Sequence, residues 1–365
     1  MKICFLCVEI FAWGKYGGFG RATRSIGREL SRRGHEVFAV VPRRQNQKAV
    51  EELDGITVHG YPLRNITAIP RLVRRIDAEI YHSQEPSLAT YFALQVAPRR
   101  KHVVTIRDPR DLNDWRIELR EHSLSKLQVL GNYLFENNPL VKGAVRRVDA
   151  RFAASPSLIP KVRKIYRLRE NPGFLPTSFR FDNAGEKSPQ PTVCFIARFD
   201  RRKRPERFFE LARRFPQVTF LAAGAARDPK RDAALQNTYG ALPNLRFLGF
   251  IDQFRDLHFH ELLTKSWILV NTASREGLPN SFIEALAHRC AILSAINSND
   301  AASRFGYHVT DGDFAAGLQW LLENDRWREL GCAGHAALKQ DFDMEEAIDR
   351  HEAVYRQLLE QPHYR

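Results

Sequence analysis

The chain has 365 residues, more than one hydrophobic core usually holds, so two domains are expected. It contains no run of about 18 apolar residues, which argues against a membrane-spanning helix. The net charge of +14 belongs to one half: residues 1–175 carry 31 Lys+Arg against 17 Asp+Glu, whereas residues 176–365 carry 25 against 25. An anionic partner of the first half follows, whether phosphorylated lipid, membrane surface, acidic saccharide or nucleic acid; a solvated basic surface accounts for the charge equally well.

The opening MKICFLCVEIFAW has the apolar look of a signal peptide, but Glu9 interrupts it and no small-residue cleavage site follows. A buried strand over residues 2–9 is the better reading. Cys4 and Cys7 make a C-x-x-C, yet residues three apart in one strand face opposite sides, so no redox pair is expected. The five cysteines show no disulfide or metal rhythm, which fits thiols in a cytoplasmic protein, with the inner membrane face as a further location. Next come a helix near 20–33 ending at Gly34 and a strand in HEVFAVV, together a β-α-β unit. AEIYHSQ, KHVVTIRD and RFAASP read as further strands, and SLIPKVRKIYRL as a helix.

From 170 to 191 the pattern turns irregular and proline-rich. A second alternating series begins at TVCFIA, runs through the strands VTFLAAG, LRFLGF, WILVNT and CAILSA, and closes in helix over roughly 312–360. Alternating strands and helices predict a parallel sheet covered on both faces. The fold class is therefore α/β, with two Rossmann-like doubly wound domains facing a central cleft. The boundaries expected are 1–175, a linker at 176–191, 192–345, and a last helix at 346–365 crossing back to the first domain. Ligands of such sheets bind at the carboxyl ends of the strands.

One stretch carries unusual chemistry. SREGLPNSFIEALA, residues 274–287, follows the strand WILVNT and holds Glu276 in a loop and Glu284 in the helix beyond it. The helix start near Asn280 offers backbone N–H groups to an anion. Ser281 and Glu284 have capping-box spacing, which would explain Glu284 without any ligand; Glu276 has no such use in a loop.

These residues resemble the two-glutamate signature of the retaining glycosyltransferases of family 4, which have the GT-B fold. IARFDRRKRPERFFELA is similar to the segment in which that family holds the donor diphosphate, here through Arg198 and Lys203. FLAAG, LRFLGFID and VTDGDFAAGLQWLLEND follow in the family's order, placing Gly224 and Phe250 on the donor side. In the first half, GKYGGFGRATRSIGREL resembles the family's glycine loop, where the amides of Gly17 and Gly18 approach the donor phosphates.

The resemblance implies a retaining, metal-independent transfer from a nucleotide diphosphate sugar, a UDP-sugar ahead of a GDP-sugar, to a saccharide or lipid-linked saccharide. The nucleotide sugar is a co-substrate, and no other cofactor and no metal are expected. Glu284 is assigned to the ribose hydroxyls, Glu276 to hydroxyls of the transferred sugar, and Gly277, Leu278, Pro279 and Asn280 to the loop around them. Arg107-Asp108 stands where many members carry His-Asp and is the acceptor-side catalytic candidate, with His82 and Arg21 as further acceptor-side candidates.

Rival readings are weaker. Gly18-Phe-Gly20 is a G-x-G, but it lies too far beyond the first strand for a dinucleotide turn, and the second strand ends in VPRR without an acid. A nucleotide-sugar epimerase or hydrolase of the same fold is one alternative. A basic nucleic-acid-binding protein is another, although no nucleic-acid motif is present. In and just before PKVRKIYRLRE, the alignment of Leu158, Val162 and Ile165 beside Lys161, Arg163, Lys164 and Arg167 suits either an anionic membrane or packing on the chain's own sheet.

Overall fold

The computed structural model describes residues 1–44, 46–122, 125–181 and 185–362. Residues 182–184 of the expected linker and 363–365 of the expected last helix lie outside the described residues.

The chain opens with β1 (Lys2–Leu6), α1 (Gly18–Arg32) and β2 (Glu36–Pro42), the expected β-α-β unit. A hairpin not anticipated from sequence follows, β3 (Val50–Leu53) and β4 (Ile56–Tyr61), turning through Asp54 and Gly55 at φ of 51° and 81°. Then come α2 (Ala68–Ile76), β5 (Ile80–Ser83), α3 (Leu88–Val96) and β6 (Lys101–Ile106). Three helices precede the next strand: α4 (Leu112–Arg120), α5 (Lys126–Glu136) and α6 (Pro139–Arg147). β7 (Ala150–Ala153), α7 (Ile159–Tyr166) and β8 (Gly173–Phe174) complete the half.

The second series runs β9 (Thr192–Ile196), α8 (Pro205–Arg214), β10 (Thr219–Ala223), α9 (Pro229–Tyr239), β11 (Leu245–Gly249), α10 (His258–Lys265) and β12 (Ile268–Asn271). It continues with α11 (Asn280–Ala287), β13 (Ala291–Ser294), α12 (Ala301–Arg304), β14 (Gly306–His308), α13 (Phe314–Leu322), α14 (Arg326–Phe342) and α15 (Met344–Glu360).

Two sheets result, ordered β3-β4-β2-β1-β5-β6-β7-β8 and β11-β10-β9-β12-β13-β14. Among the described residues, every pairing between these strands is parallel except that of β3 with β4. The central strands β5, β6, β12 and β13 are buried throughout, as helices on both faces require, whereas β3, β8 and β11 at the sheet edges are partly exposed. In the first sheet alternate residues of β1 enter different cores: Phe5 joins Val58 and Ile80 on one side, Cys4 joins Val40 and Val73 on the other. Cys7 lies with Phe5, so Cys4 and Cys7 are separated by the sheet, and burial raises both thiols well above the ordinary range. In the second sheet Phe195, Phe208, Phe209 and Phe220 pack on one face, while Cys194, Leu269, Phe282 and Ile292 fill the other.

The chain divides into two compact units, one of residues 1–111, 130–178 and 344–365, the other of 112–129 and 179–343. The division differs from the expected boundaries at residues 112–129, which are grouped with the second unit. The apolar face of α7 is also settled: Val162 and Tyr166, with Leu158 just before the helix, are buried in the first unit's core. That face is therefore unavailable to a membrane.

Candidate active site

In the second sheet the chain runs outward from β9 through β10 to β11, then returns to place β12 on the other side of β9. The reversal opens a crevice at the carboxyl ends of β9 and β12, where neighbouring loops part in opposite directions. Arg198 and Lys203 follow β9, and residues 272–280 follow β12. These two loops are laced together. Thr272 Oγ1 donates to the carbonyls of Lys203 (2.7 Å) and Arg204 (2.8 Å), and the Ser274 N–H donates to the Arg202 carbonyl at 3.0 Å.

Across this lacing, Lys203 Nζ donates to Glu276 Oε1, with each side chain 15% exposed. Burial lowers the Lys203 ammonium pKa, and the adjacent Glu276 carboxylate opposes that shift. Arg198 Nε stands 3.1 Å from Asp200 Oδ2 with a third of its side chain exposed. Gly224, at φ 149°, lies where a Cβ would come within 1.9 Å of the Ala197 carbonyl oxygen, so only glycine lets the β10 loop pass the β9 loop. Phe250 follows β11 and is half exposed.

Helix α11 starts at Asn280 with Pro279 as its N-cap, and Pro279 offers no side-chain cap. The expected Ser281–Glu284 capping box is therefore corrected: Ser281 already lies inside the helix, too late to cap it. Glu284 is buried on α11. Gly277 is held from outside the loop, its carbonyl accepting from Ser298 Oγ, and Leu278 and Pro279 carry the chain into the helix.

Residues 112–122 add a feature that no motif marked. Glu118 pairs with Arg202 and, at 3.2 Å, with Arg275; Asp114 stands 2.9 Å from Arg275 Nε. Glu121 accepts from Arg204 at 2.6 Å and also from Ser274 Oγ, and these donors hold its carboxyl below the usual range against the opposing effect of burial. Trp115 is buried beside them in sequence, and Arg275 is only 5% exposed. Three carboxylates of residues 112–122, those of Asp114, Glu118 and Glu121, thus neutralise the arginines on both sides of Lys203 and the one preceding Glu276.

The remaining candidates lie in the first unit, whose own reversal falls between β1 and β5. Gly17 is the N-cap of α1 and Gly18 its first residue. The Glu9 carboxylate occupies the space beside Gly17, accepts from the Gly20 N–H at 3.2 Å and pairs with Lys15 at 3.5 Å. Arg21 is half-buried on the first turn of α1.

His82 needs correction. It is fully buried, with Nδ1 2.6 Å from Tyr355 Oη and Nε2 2.8 Å from Thr105 Oγ1, and burial drives its pKa well below the ordinary value. A ring enclosed by α15 and β6 cannot touch an acceptor. Arg107 is buried as well; its guanidinium donates to Thr177 Oγ1 and Gln84 Oε1, each at 2.6 Å, and burial lowers its pKa to about 10. It braces the strand ends, and a direct catalytic role for its side chain is not supported. Asp108 accepts from Arg110 at 3.0 Å, and Arg110 also reaches Glu136 at 2.9 Å.

Glu85, absent from the sequence-based candidates, joins this group by accepting from the Arg107 N–H at 2.9 Å. Burial, reinforced by Glu136 and Asp108, pushes its carboxyl up to about 8. Its position directly after β5 was the available signal. Among the described residues no group of three or more His, Cys, Asp or Glu is arranged to hold a metal ion.

Two family models cover most of the chain. "Glycosyl transferases group 1" matches residues 178–329, and "Glycosyltransferase Family 4" matches residues 16–173. Among solved structures, a sucrose-phosphate synthase from Thermosynechococcus elongatus is similar with a TM-score of 0.75 at 17% identity, over 98% of this chain and 99% of that one. The Anabaena protein HepE in complex with UDP-glucose gives 0.72 at 15%, over 98% and 100%. A glycosyltransferase from Rickettsia africae gives 0.69 at 15%, over 99% of both chains. No curated protein sequence matches.

Proposed function

Because the chain belongs to the family-4 glycosyltransferases, which have the GT-B fold, we propose that it moves a sugar from a nucleotide diphosphate sugar to a hydroxyl of a saccharide or lipid-linked saccharide. The observation that carries this reading is the contact of Lys203 with Glu276 at the β9/β12 reversal, beside the start of α11. A cation for a leaving diphosphate and a carboxylate for a sugar are held within reach of each other.

In this reading Arg198, Lys203 and the first amides of α11 take up the charge that grows on the departing diphosphate, which preorganised donors do without reorganisation. The Gly17 and Gly18 amides assist once Glu9 yields its place. Glu284 binds the ribose and Glu276 the transferred sugar. The acceptor attacks from the leaving-group face and gives its proton to the departing phosphate, so configuration is retained and no metal is required. Asp108, with Glu85 beside it, orients the acceptor.

A UDP-sugar is favoured, in keeping with the complexes of HepE with UDP-glucose and with UDP. The excess positive charge of the first half suits an anionic acceptor or surface.

The test is thermal denaturation with a panel of nucleoside diphosphates and their sugars, since a ligand bound only by the folded state raises the melting temperature. Stabilisation by one nucleotide family, followed by transfer of its sugar with retained configuration in the presence of chelator, is the expected result. Conversion of the donor when no acceptor is supplied would favour the epimerase or hydrolase reading.

A further inference from the structure

A cavity of about 660 Å³ opens within the second unit, at the amino ends of its strands and thus at the end of the sheet opposite to Lys203 and Glu276. Its walls come from the segment leading into β9 (Lys187), the start of β12 (Trp267), the turn between α11 and β13 (His288, Arg289) and the first turns of α14 (Arg328, Cys332). The volume lies inside the range of small-molecule sites, about 300–1,000 Å³.

Both arginines of this lining occupy places that local rules disfavour. Helix α11 ends in a Schellman motif, in which the Cys290 N–H donates to the Ala285 carbonyl at 2.8 Å and the Arg289 N–H to the Leu286 carbonyl at 3.0 Å. The left-handed residue of such a motif is usually glycine, yet here it is Arg289, at φ 58°. The turn is pinned from α14, where a Cβ on Gly331 would come within 2.3 Å of the Arg289 carbonyl oxygen. Arg328 stands in the first turn of α14, where the helix dipole disfavours a cation, with its guanidinium 4.9 Å over the Trp327 ring. Sequences break local rules chiefly at functional sites, and these two breaks meet in one cavity.

The other lining groups narrow the ligand. The Lys187 ammonium is committed to the carbonyls of Leu263, at 3.2 Å, and Ser266. His288 is neutral at neutral pH, because burial lowers its pKa to about 4. Among the described lining residues the acids are Glu186, which is exposed, and Asp325, which accepts from Trp327 Nε1 at 3.3 Å. Two guanidinium forks, matched to phosphate oxygens, are the groups that can select a ligand. Trp267 adds a half-buried indole fixed by stacking on Trp327 at 4.5 Å and by donating to the Ser188 carbonyl at 2.8 Å. We propose that this cavity binds a small organic phosphate, with the phosphate at Arg289 and Arg328 and the uncharged body against Trp267. Binding there needs no turnover, so its test is independent of the enzymatic reading.

Cys332 supplies a local reporter, since it is exposed while Cys4, Cys7, Cys194 and Cys290 are buried. The full chain is labelled with iodoacetamide, and modification of Cys332 is followed by peptide mass spectrometry. Mannose 6-phosphate, AMP, mannose and inorganic phosphate are each added at about 10 mM, enough to fill a site with a Kd of about 1 mM or below. At least one ester should slow labelling by about fivefold or more, and mannose and inorganic phosphate by less than about twofold. Arg289→Gly suits the left-handed turn and should keep or raise the melting temperature, and Arg328 is exposed, so both Arg289→Gly and Arg328→Gln should fold. Each should weaken the protecting ester by about tenfold or more, as loss of a charged hydrogen bond does. No protection by either ester, equal protection by inorganic phosphate, or undiminished protection in both folded variants would each overturn the proposal. Protection of Cys332 in a chain that transfers no sugar would refute the enzymatic reading and leave this one standing.

Discussion

Glu276→Gln tests whether the donor site is held closed to anions by its own carboxylate. In the unliganded protein Lys203 donates to Glu276, and both side chains are only 15% exposed, so solvent screens the contact little. Removing one member of such a pair leaves the other charge uncompensated, at a cost of about 3 kcal/mol. A diphosphate arriving at Lys203 would recover part of that, about 1–2 kcal/mol, equivalent to roughly five- to thirtyfold tighter binding. The variant should therefore bind the nucleoside diphosphate more tightly by titration calorimetry while losing transfer, because the amide cannot replace the carboxylate at the sugar hydroxyls. Equal or weaker nucleotide binding would show that Glu276 does not compete for Lys203.

Two further outcomes follow from buried groups and tight backbone. His351 and His288 are buried, and burial lowers both to about 4 from an ordinary 6.5, so the unfolded chain takes up protons before the folded one does as pH falls. Their contribution, about 3 kcal/mol each, is complete above pH 6.5 and is lost as pH falls through 4. Urea midpoints should drop across that window and drop less in His351→Gln; a flat profile in the unaltered chain would contradict the burial argument. Gly224→Ala should cost about 3 kcal/mol or more from the left-handed backbone and the clash with the Ala197 carbonyl. Its melting temperature should fall by about 6–12 °C, and an unchanged value would mean that the β9 and β10 loops separate easily.

The alternation of strands and helices was legible because parallel strands buried on both faces read as short apolar runs, as in TVCFIA and WILVNT. The signature loop was legible too, since Glu276 and Lys203 come from motifs with fixed spacing. What escaped depends on distance or on direction. The partners of Glu118 and Glu121 lie more than eighty residues away, and no local pattern announces them.

The S-x-x-E spacing at 281–284 suggested a cap, but Pro279 starts the helix earlier and leaves that pattern inside it. His82 sits at the strand end where an acceptor-side histidine was expected, yet its ring turns into the core towards Tyr355. Periodicity showed that α7 had an apolar stripe without showing that the core would take it.

The segment of α4 and Glu121 just after it also bears on how the protein is made. It leaves the ribosome well before Arg202, Arg204 and Arg275, and must wait with its carboxylates in water for their partners to be synthesised. The first unit waits longer still, because Ile348, Tyr355 and Leu358 of α15 belong to its core. Neither unit can mature from a contiguous stretch of nascent chain. Premature termination before the end of α14 should thus yield two incomplete bodies, whereas a chain that stops between α14 and α15 has a whole second unit beside an unfinished first one.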